Sequence, residues 1–239
     1  MDNKILKINS NDLKELSGSM RVARYFTYDK LKDIIDNERL YFHNCELFDD
    51  DNERKRIERG RYKNQKARRI SIKIHNALIN ECKAYVSCWT IFEDENAALW
   101  KIYDNTSTGA CIVTTVEKLR KQLDQNILIG QVSYEENANI LFIDIEGIAS
   151  NYLSTEFVKI SPYAFEKEVR AVFFSKETSN SIKMGINFES LVDEVYLSPF
   201  ANSKNNLRTE KLLLKRIVKN KIKQSTISET KKTSKEMSK

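Results

Sequence analysis

Glycine and proline are scarce in this chain, with six and two among 239 residues. No glycine-rich loop is present, which excludes a P-loop and a dinucleotide-binding glycine fingerprint. Histidine is nearly missing: His43 and His75 are the only two. The four cysteines, Cys45, Cys82, Cys88 and Cys111, form no Cys-x-x-Cys pair. That inventory argues against a structural zinc site. Four scattered thiols also suit a reducing compartment better than a disulfide scaffold. Long apolar runs are missing too: nothing approaches the roughly 18 residues of a membrane span. Met1-Asp2-Asn3-Lys4 leads into no signal core. The expectation is a cytoplasmic protein with no membrane partner.

What is present suffices for a packed core, with 41% hydrophobic and 10% aromatic residues. The net charge of +6 is unevenly placed. One basic block runs from Arg54 to Arg69, and a second is the tail after Lys219. A basic helix of this kind either faces nucleic acid or an acidic protein, or is a solvated surface. Glu53 and Glu58 interleave with it and stacking aromatics are few, which tilts the balance toward the solvated surface.

Alternation and helical spacing divide the chain into short elements. Strands are expected at Arg21–Phe26, Leu40–Phe42, Ala84–Thr90, Gly109–Thr115, Ile127–Tyr134 and Val195–Leu197. Helices are expected after Thr27, over Glu53–Lys83, Asn96–Tyr103 and Val116–Asp124, near Ile148–Phe157, and over Asn205–Ile222. Strands and helices mix without strict alternation, so the class is α+β with a mixed, mainly antiparallel sheet flanked by helices. The reading is a single domain over residues 1–222 and a disordered lysine-rich tail over 223–239.

The most informative stretch is Pro162-Tyr163-Ala164-Phe165-Glu166-Lys167-Glu168-Val169-Arg170-Ala171-Val172-Phe173-Phe174. On a strand, Glu166, Glu168 and Arg170 share one face. Two carboxylates and a guanidinium are costly to bury, so such a face belongs at the wall of a cleft or in an ion network. Landmarks elsewhere line up with it in order: Arg24-Tyr25-Phe26, Leu40-Tyr41-Phe42, Phe48-Asp49-Asp50 with Glu53, Val86-Ser87-Cys88-Trp89-Thr90, Ala98-Leu99-Trp100 with Tyr103, Gly109 with Ile112, and Val195-Tyr196-Leu197-Ser198-Pro199. The ordered set resembles the bacterial family called domain of unknown function 2971, over roughly Arg21 to Pro199. One departure stands out: Asp49-Asp50-Asp51 replaces the family's Asn-Asp-Pro turn.

The order Arg24, Ser87, Glu168, with Glu166 two residues earlier, also resembles the arginine, serine, glutamate pattern of ADP-ribosyltransferases. That resemblance implies an NAD-processing enzyme, a transferase or glycohydrolase, of the kind found in phage-defence or toxin-type systems. NAD would be its substrate, with no permanently bound cofactor and no metal. Glu168 would stabilise an oxocarbenium-like ribose, Ser87 would orient it, and Glu166 would take a proton from the acceptor. Arg24 would hold the pyrophosphate. Tyr25, Trp89, Trp100 and Tyr103 would supply stacking surfaces, with Arg170 and Asp50 as further substrate-binding residues. Against this stand plain readings: Arg170 as a salt-bridge partner of one glutamate, and both tryptophans as core.

The rival is a non-catalytic recognition module that binds nucleic acid or an acidic partner through Arg54–Arg69. A metal-dependent hydrolase using Asp49, Asp50, Asp51 and Glu53 has only the spacing of an acidic loop. A Cys88 nucleophile lacks a nearby histidine, and an inert buried thiol fits better.

Overall fold

Runs of β-branched and aromatic residues form the strands, and asparagine or threonine caps start most of the helices. The computed structural model describes residues 16–48, 83–134, 143–145, 148–150, 156–157 and 159–227. The strands are β1 (Arg21–Phe26), β2 (Arg39–Asn44), β3 (Lys83–Ile91), β4 (Ala110–Thr115), β5 (Leu128–Gln131), β6 (Ile143–Ile145), β7 (Ile148–Ser150), β8 (Glu168–Ser175), β9 (Ser181–Gly185), β10 (Glu194–Leu197) and β11 (Ile222–Gln224). The helices are α1 (Tyr28–Asn37), α2 (Ala97–Tyr103), α3 (Val116–Gln122), α4 (Phe188–Leu191) and α5 (Ser203–Leu213). Asn96, Thr115, Asn187 and Asn202 each accept a backbone N–H of the helix they precede. Thr27 occupies the corresponding place before α1 but makes no side-chain cap.

Nine strands belong to one sheet, and β6–β7 form a separate antiparallel pair. The β10–β11 pair is parallel, whereas β1–β3, β1–β4, β4–β10, β2–β3 and β5–β8 are antiparallel. The α+β class with a mainly antiparallel sheet therefore holds. Strand β3 is bonded to β1 and also to β8.

The chain divides into two compact units, and the division cuts β2, β3 and β9. One unit takes residues 17–40, 89–124 and 183–239. Within it, β1 pairs with β4 along its whole length, from Arg21 opposite Thr115 to Phe26 opposite Ala110. Alternation then sorts the side chains. Ala23, Tyr25, Cys111 and Val113 share one face and pack with Phe92, Leu99 and Trp100 of the α2 region. Val22, Arg24 and Phe26 take the other face. Helix α1 buries Leu31, Ile34 and Ile35.

The other unit takes residues 1–16, 41–88 and 125–182. Its core sets Val86 of β3 and Val172 of β8 against Phe157, with Cys45, Phe48, Cys88, Leu128 and Phe174 around them.

Several expectations change. The last helix ends at Leu213 rather than running on to Ile222. After it the chain turns, and Ile222 pairs with Val195 in the parallel ladder. Sheet pairing, helped by Lys221 Nζ donating to the Glu189 and Val192 carbonyls at 2.9 and 2.7 Å, overrides the helical spacing of Leu212, Leu213 and Ile217. A strand, β7, stands at Ile148–Ser150, where the start of a helix was expected. Strand β9 and helix α4 were not anticipated. The helix expected from Glu53 lies outside the described residues except for Lys83, which opens β3. The basic block, Asp49, Asp50, Asp51, Glu53, His75, Cys82 and residues 228–239 also lie outside them.

Order continues past Ile222. Lys223 and Gln224 pair with Tyr196 and Leu197, and Ser225 is buried. Thr226 N and Oγ1 donate to Glu95 Oε2 at 2.7 and 3.0 Å, and Ile227 packs on the Tyr25–Trp100 cluster. Ending the chain at Gln224 is expected to remove about 1–2 kcal/mol of stability in a urea melt.

Candidate functional site

The site builds up from the backbone of one unit. Val132 N donates to the Glu168 carbonyl at 2.9 Å, and Ser133 N donates to that of Phe157 at 2.8 Å. Lys159 N then donates to the Ser133 carbonyl at 2.9 Å. Segment 132–134 is thus bonded to the start of β8 and to the chain around Lys159. Its Tyr134 hydroxyl accepts the Glu168 N–H at 2.7 Å.

Glu166 and Glu168 arise from different local structures. Glu166 closes a 3-10 turn (Ser161–Glu166) that has Pro162 in its first turn, where a missing N–H is harmless. Lys167 then adopts φ = 43°, in the left-handed region, before Glu168 opens β8. A lysine held there costs about 1 kcal/mol. The expected uninterrupted strand alternation through Glu166, Glu168 and Arg170 is therefore correct only from Glu168 onward.

The two carboxylates still meet, through a cation that the sequence reading missed. Lys159 Nζ donates to Glu166 Oε2 at 2.5 Å and lies 3.5 Å from Glu168 Oε2. It also stands over the Tyr163 ring at 4.6 Å. Arg170 grips Glu168 with both prongs of its fork, Nε to Oε1 at 2.9 Å and Nη2 to Oε2 at 3.0 Å. Its third nitrogen donates to the Glu156 carbonyl at 2.7 Å, and its guanidinium lies 5.8 Å from the Phe48 ring centre. His43 also stacks on Phe48, with ring centres 5.7 Å apart. Glu168 and Arg170 are only 4% and 2% exposed. Among the described residues, the network sets two carboxylates against two cations, almost fully withdrawn from water.

Burial pushes the Glu168 carboxyl up. The Arg170 guanidinium, the Lys159 ammonium and a hydrogen bond from the Cys88 thiol outweigh it and hold the group below its ordinary 4.5. Burial likewise raises the Tyr134 phenol, so it stays a neutral hydroxyl near neutral pH. The sign for stability follows. A carboxylate whose pKa falls on folding contributes above its unfolded value, and that contribution is lost as the pH drops through the folded value. The stability difference between the protein and Glu168→Gln is therefore expected to be constant at neutral pH. It should shrink steadily below about pH 4.5 in urea melts run across a pH series.

Ser87 is 0% exposed, and strand alternation turns it away from the face that carries Glu168. Ala84, Val86 and Cys88 on β3 face the same cluster as Val172 and Phe174 on β8. Alternation puts Glu168 and Arg170 on that β8 face and turns Ser87 to the other side of β3. The thiol of Cys88 takes the place at Glu168 that Ser87 was expected to hold. Cys88, read from sequence as an inert thiol, is the β3 residue that touches the carboxylate.

The remaining described candidates lie in the other unit. Arg24 stands over the Phe26 ring at 5.1 Å, on the β1 face opposite Tyr25. Tyr25 and Trp100 meet edge to face at 4.9 Å and 77° inside the core. The Tyr25 hydroxyl accepts the Asn96 N–H, and burial raises its phenol. The indole N–H of Trp100 goes to Glu95 Oε1 at 3.1 Å. Trp89 is buried. Tyr103, expected beside Leu99 and Trp100, is 44% exposed. Tyr25 and Trp100 therefore serve one core cluster, whereas the pairing of Ala23 with Thr90 puts the buried Trp89 on the sheet face that Arg24 takes. Asp50 lies outside the described residues.

Among the described residues, no group of three or more histidine, cysteine, aspartate or glutamate side chains is placed to hold a metal ion. No described helix is long and apolar enough to cross a membrane. No family model matches the chain, and no curated protein or solved structure matches it.

Proposed function

We propose that the unit containing Glu166 and Glu168 carries a carboxylate site for N-glycosidic chemistry on a nicotinamide dinucleotide, as in ADP-ribosyl transfer or NAD hydrolysis. The observation that supports it best is the state of Glu168. It is ionised, buried and fixed from two directions by Arg170, with a second carboxylate brought alongside by Lys159. A fixed negative charge in a water-poor setting is what an oxocarbenium-like ribose needs beside it. The order Arg24, Ser87, Glu168 in the sequence lends further support. This reading assigns roles differently from the ADP-ribosyltransferase pattern: Arg170 and Cys88 position Glu168, and Ser87 does not. Glu166 is the base for an acceptor hydroxyl or water. Placing the chain in the domain of unknown function 2971 family is part of the same proposal and rests on its ordered landmarks.

The test is incubation with NAD labelled in the adenylate half, with and without cell extract, beside Glu168→Gln and Glu166→Gln. Label transfer or free ADP-ribose is expected for the unaltered chain. Glu168→Gln should lose about 100-fold or more of that rate, the size of effect seen when one stabilising group is removed from a charged transition state. Equal rates in all three proteins, or none in the unaltered chain, would overturn the proposal and leave the ion network a purely structural device.

A further inference from the structure

We propose that Asp104, Ser198 and Asn206 hold a hard, calcium-class cation where β4 begins and β10 ends. The observation is a set of oxygen atoms that the fold leaves unsatisfied. Asp104 follows α2 and is 1% exposed. Its Oδ1 is saturated: Thr106 Oγ1, Thr108 N and Gly109 N donate to it at 3.1, 3.2 and 3.0 Å. Its Oδ2 is buried and has no hydrogen-bond partner, and the same is true of Ser198 Oγ and Asn206 Oδ1.

These three atoms belong to one neighbourhood. Ser198 N donates to the Gly109 carbonyl at 3.3 Å, Gly109 N donates to Asp104, and Asn206 Nδ2 donates to the Ser198 carbonyl at 3.3 Å. Thr209 Oγ1 ties α5 to the same loop through the Thr108 carbonyl at 2.8 Å. Each unsatisfied oxygen thus sits on a side chain or residue bonded to the Gly109–Ser198 pair.

Chemistry narrows the occupant. A carboxylate oxygen and an amide oxygen can only accept, so they cannot satisfy each other. Asp104 forms no salt bridge with a described lysine or arginine, and a buried carboxylate oxygen without donor or counter-charge is expensive. A cation reached by all three atoms would satisfy them together and supply the missing charge. The donor set is oxygen alone, with no histidine or thiol, which points away from zinc and copper toward hard cations. Mixed carboxylate, amide and hydroxyl donors on three separate segments suit the flexible coordination of calcium better than the strict octahedron of magnesium.

Terbium is the probe, because it replaces calcium and its emission is excited by a nearby indole. Trp100 is well placed, since its carbonyl accepts the Asp104 N–H at 2.9 Å. The full chain is expected to give indole-sensitised terbium emission that added Ca²⁺ displaces, and its melting temperature should rise with Ca²⁺. Asp104→Asn should weaken terbium binding by at least about tenfold, in the range seen when a metal site loses an important contact. Asn206→Ala, at a half-buried position that the fold tolerates more easily, should weaken it several-fold and so serves if Asp104→Asn does not fold. Undiminished emission in Asn206→Ala and Ser198→Ala would overturn the proposal. So would a melting temperature that responds equally to Na⁺ or Mg²⁺ at matched ionic strength, or no terbium emission at all.

Discussion

Replacing Arg170 by methionine is expected to destabilise the protein by about 3–5 kcal/mol, the usual consequence of removing one partner from a buried ion pair. The physics lies in what is left behind. Methionine fills much of the space of the arginine stem, so packing loss is small. Glu168, however, loses both of its bidentate donors, and the Glu156 carbonyl loses its donor as well. Lys159, 3.5 Å from one carboxylate oxygen and already engaged with Glu166, is a poor substitute. The carboxyl must then either stay charged in a dry setting or take up a proton, and both outcomes cost free energy. Adding Glu168→Gln to Arg170→Met should recover part of the loss, with a coupling energy of about 1–3 kcal/mol in a double-mutant cycle followed by urea unfolding. Strict additivity of the two changes would mean that the pair is not an energetic unit.

Gly109→Ala is expected to be comparably damaging, at about 3 kcal/mol or more, for a steric reason. A methyl group at Gly109 would stand 1.7 Å from the Phe26 carbonyl oxygen and 2.9 Å from Asp104 Oδ1. The first is a backbone atom of β1 in the same pairing region, so relief requires moving a strand rather than a side-chain tip. Gly185→Ala is the control, because a methyl there meets nothing within 4 Å. The expected result is a large drop in urea midpoint for Gly109→Ala and a change under about 0.5 kcal/mol for Gly185→Ala. Similar midpoints for the two variants would contradict the close approach at Gly109.

Local pattern carried much of the fold. The alternation in Arg21–Phe26, the spacing of Leu31, Ile34 and Ile35, and the short helix ending at Tyr103 are signals within one element, and each is where it was read. What escaped were features decided by partners distant in sequence. Strand β11 looks like the end of a polar helix until Val195 is there to pair with Ile222. The site divides in the same way. Glu166, Glu168 and Arg170 are close in sequence, so their association could be read directly, although the left-handed turn at Lys167 could not. Lys159 carried no signal, because its place depends on the bond between its N–H and the Ser133 carbonyl. Ser87 and Cys88 differ by one position on one strand, and which of them meets Glu168 is settled only by how β3 lies beside β8.

The most direct test of the central claim is the release of free nicotinamide from NAD, followed by chromatography, for the unaltered chain and for Glu168→Gln. Both proteins would first be checked for equal folded fraction at the assay temperature. The account predicts steady release from the first and at least about 100-fold less from the second. Indistinguishable release from the two folded proteins would contradict it.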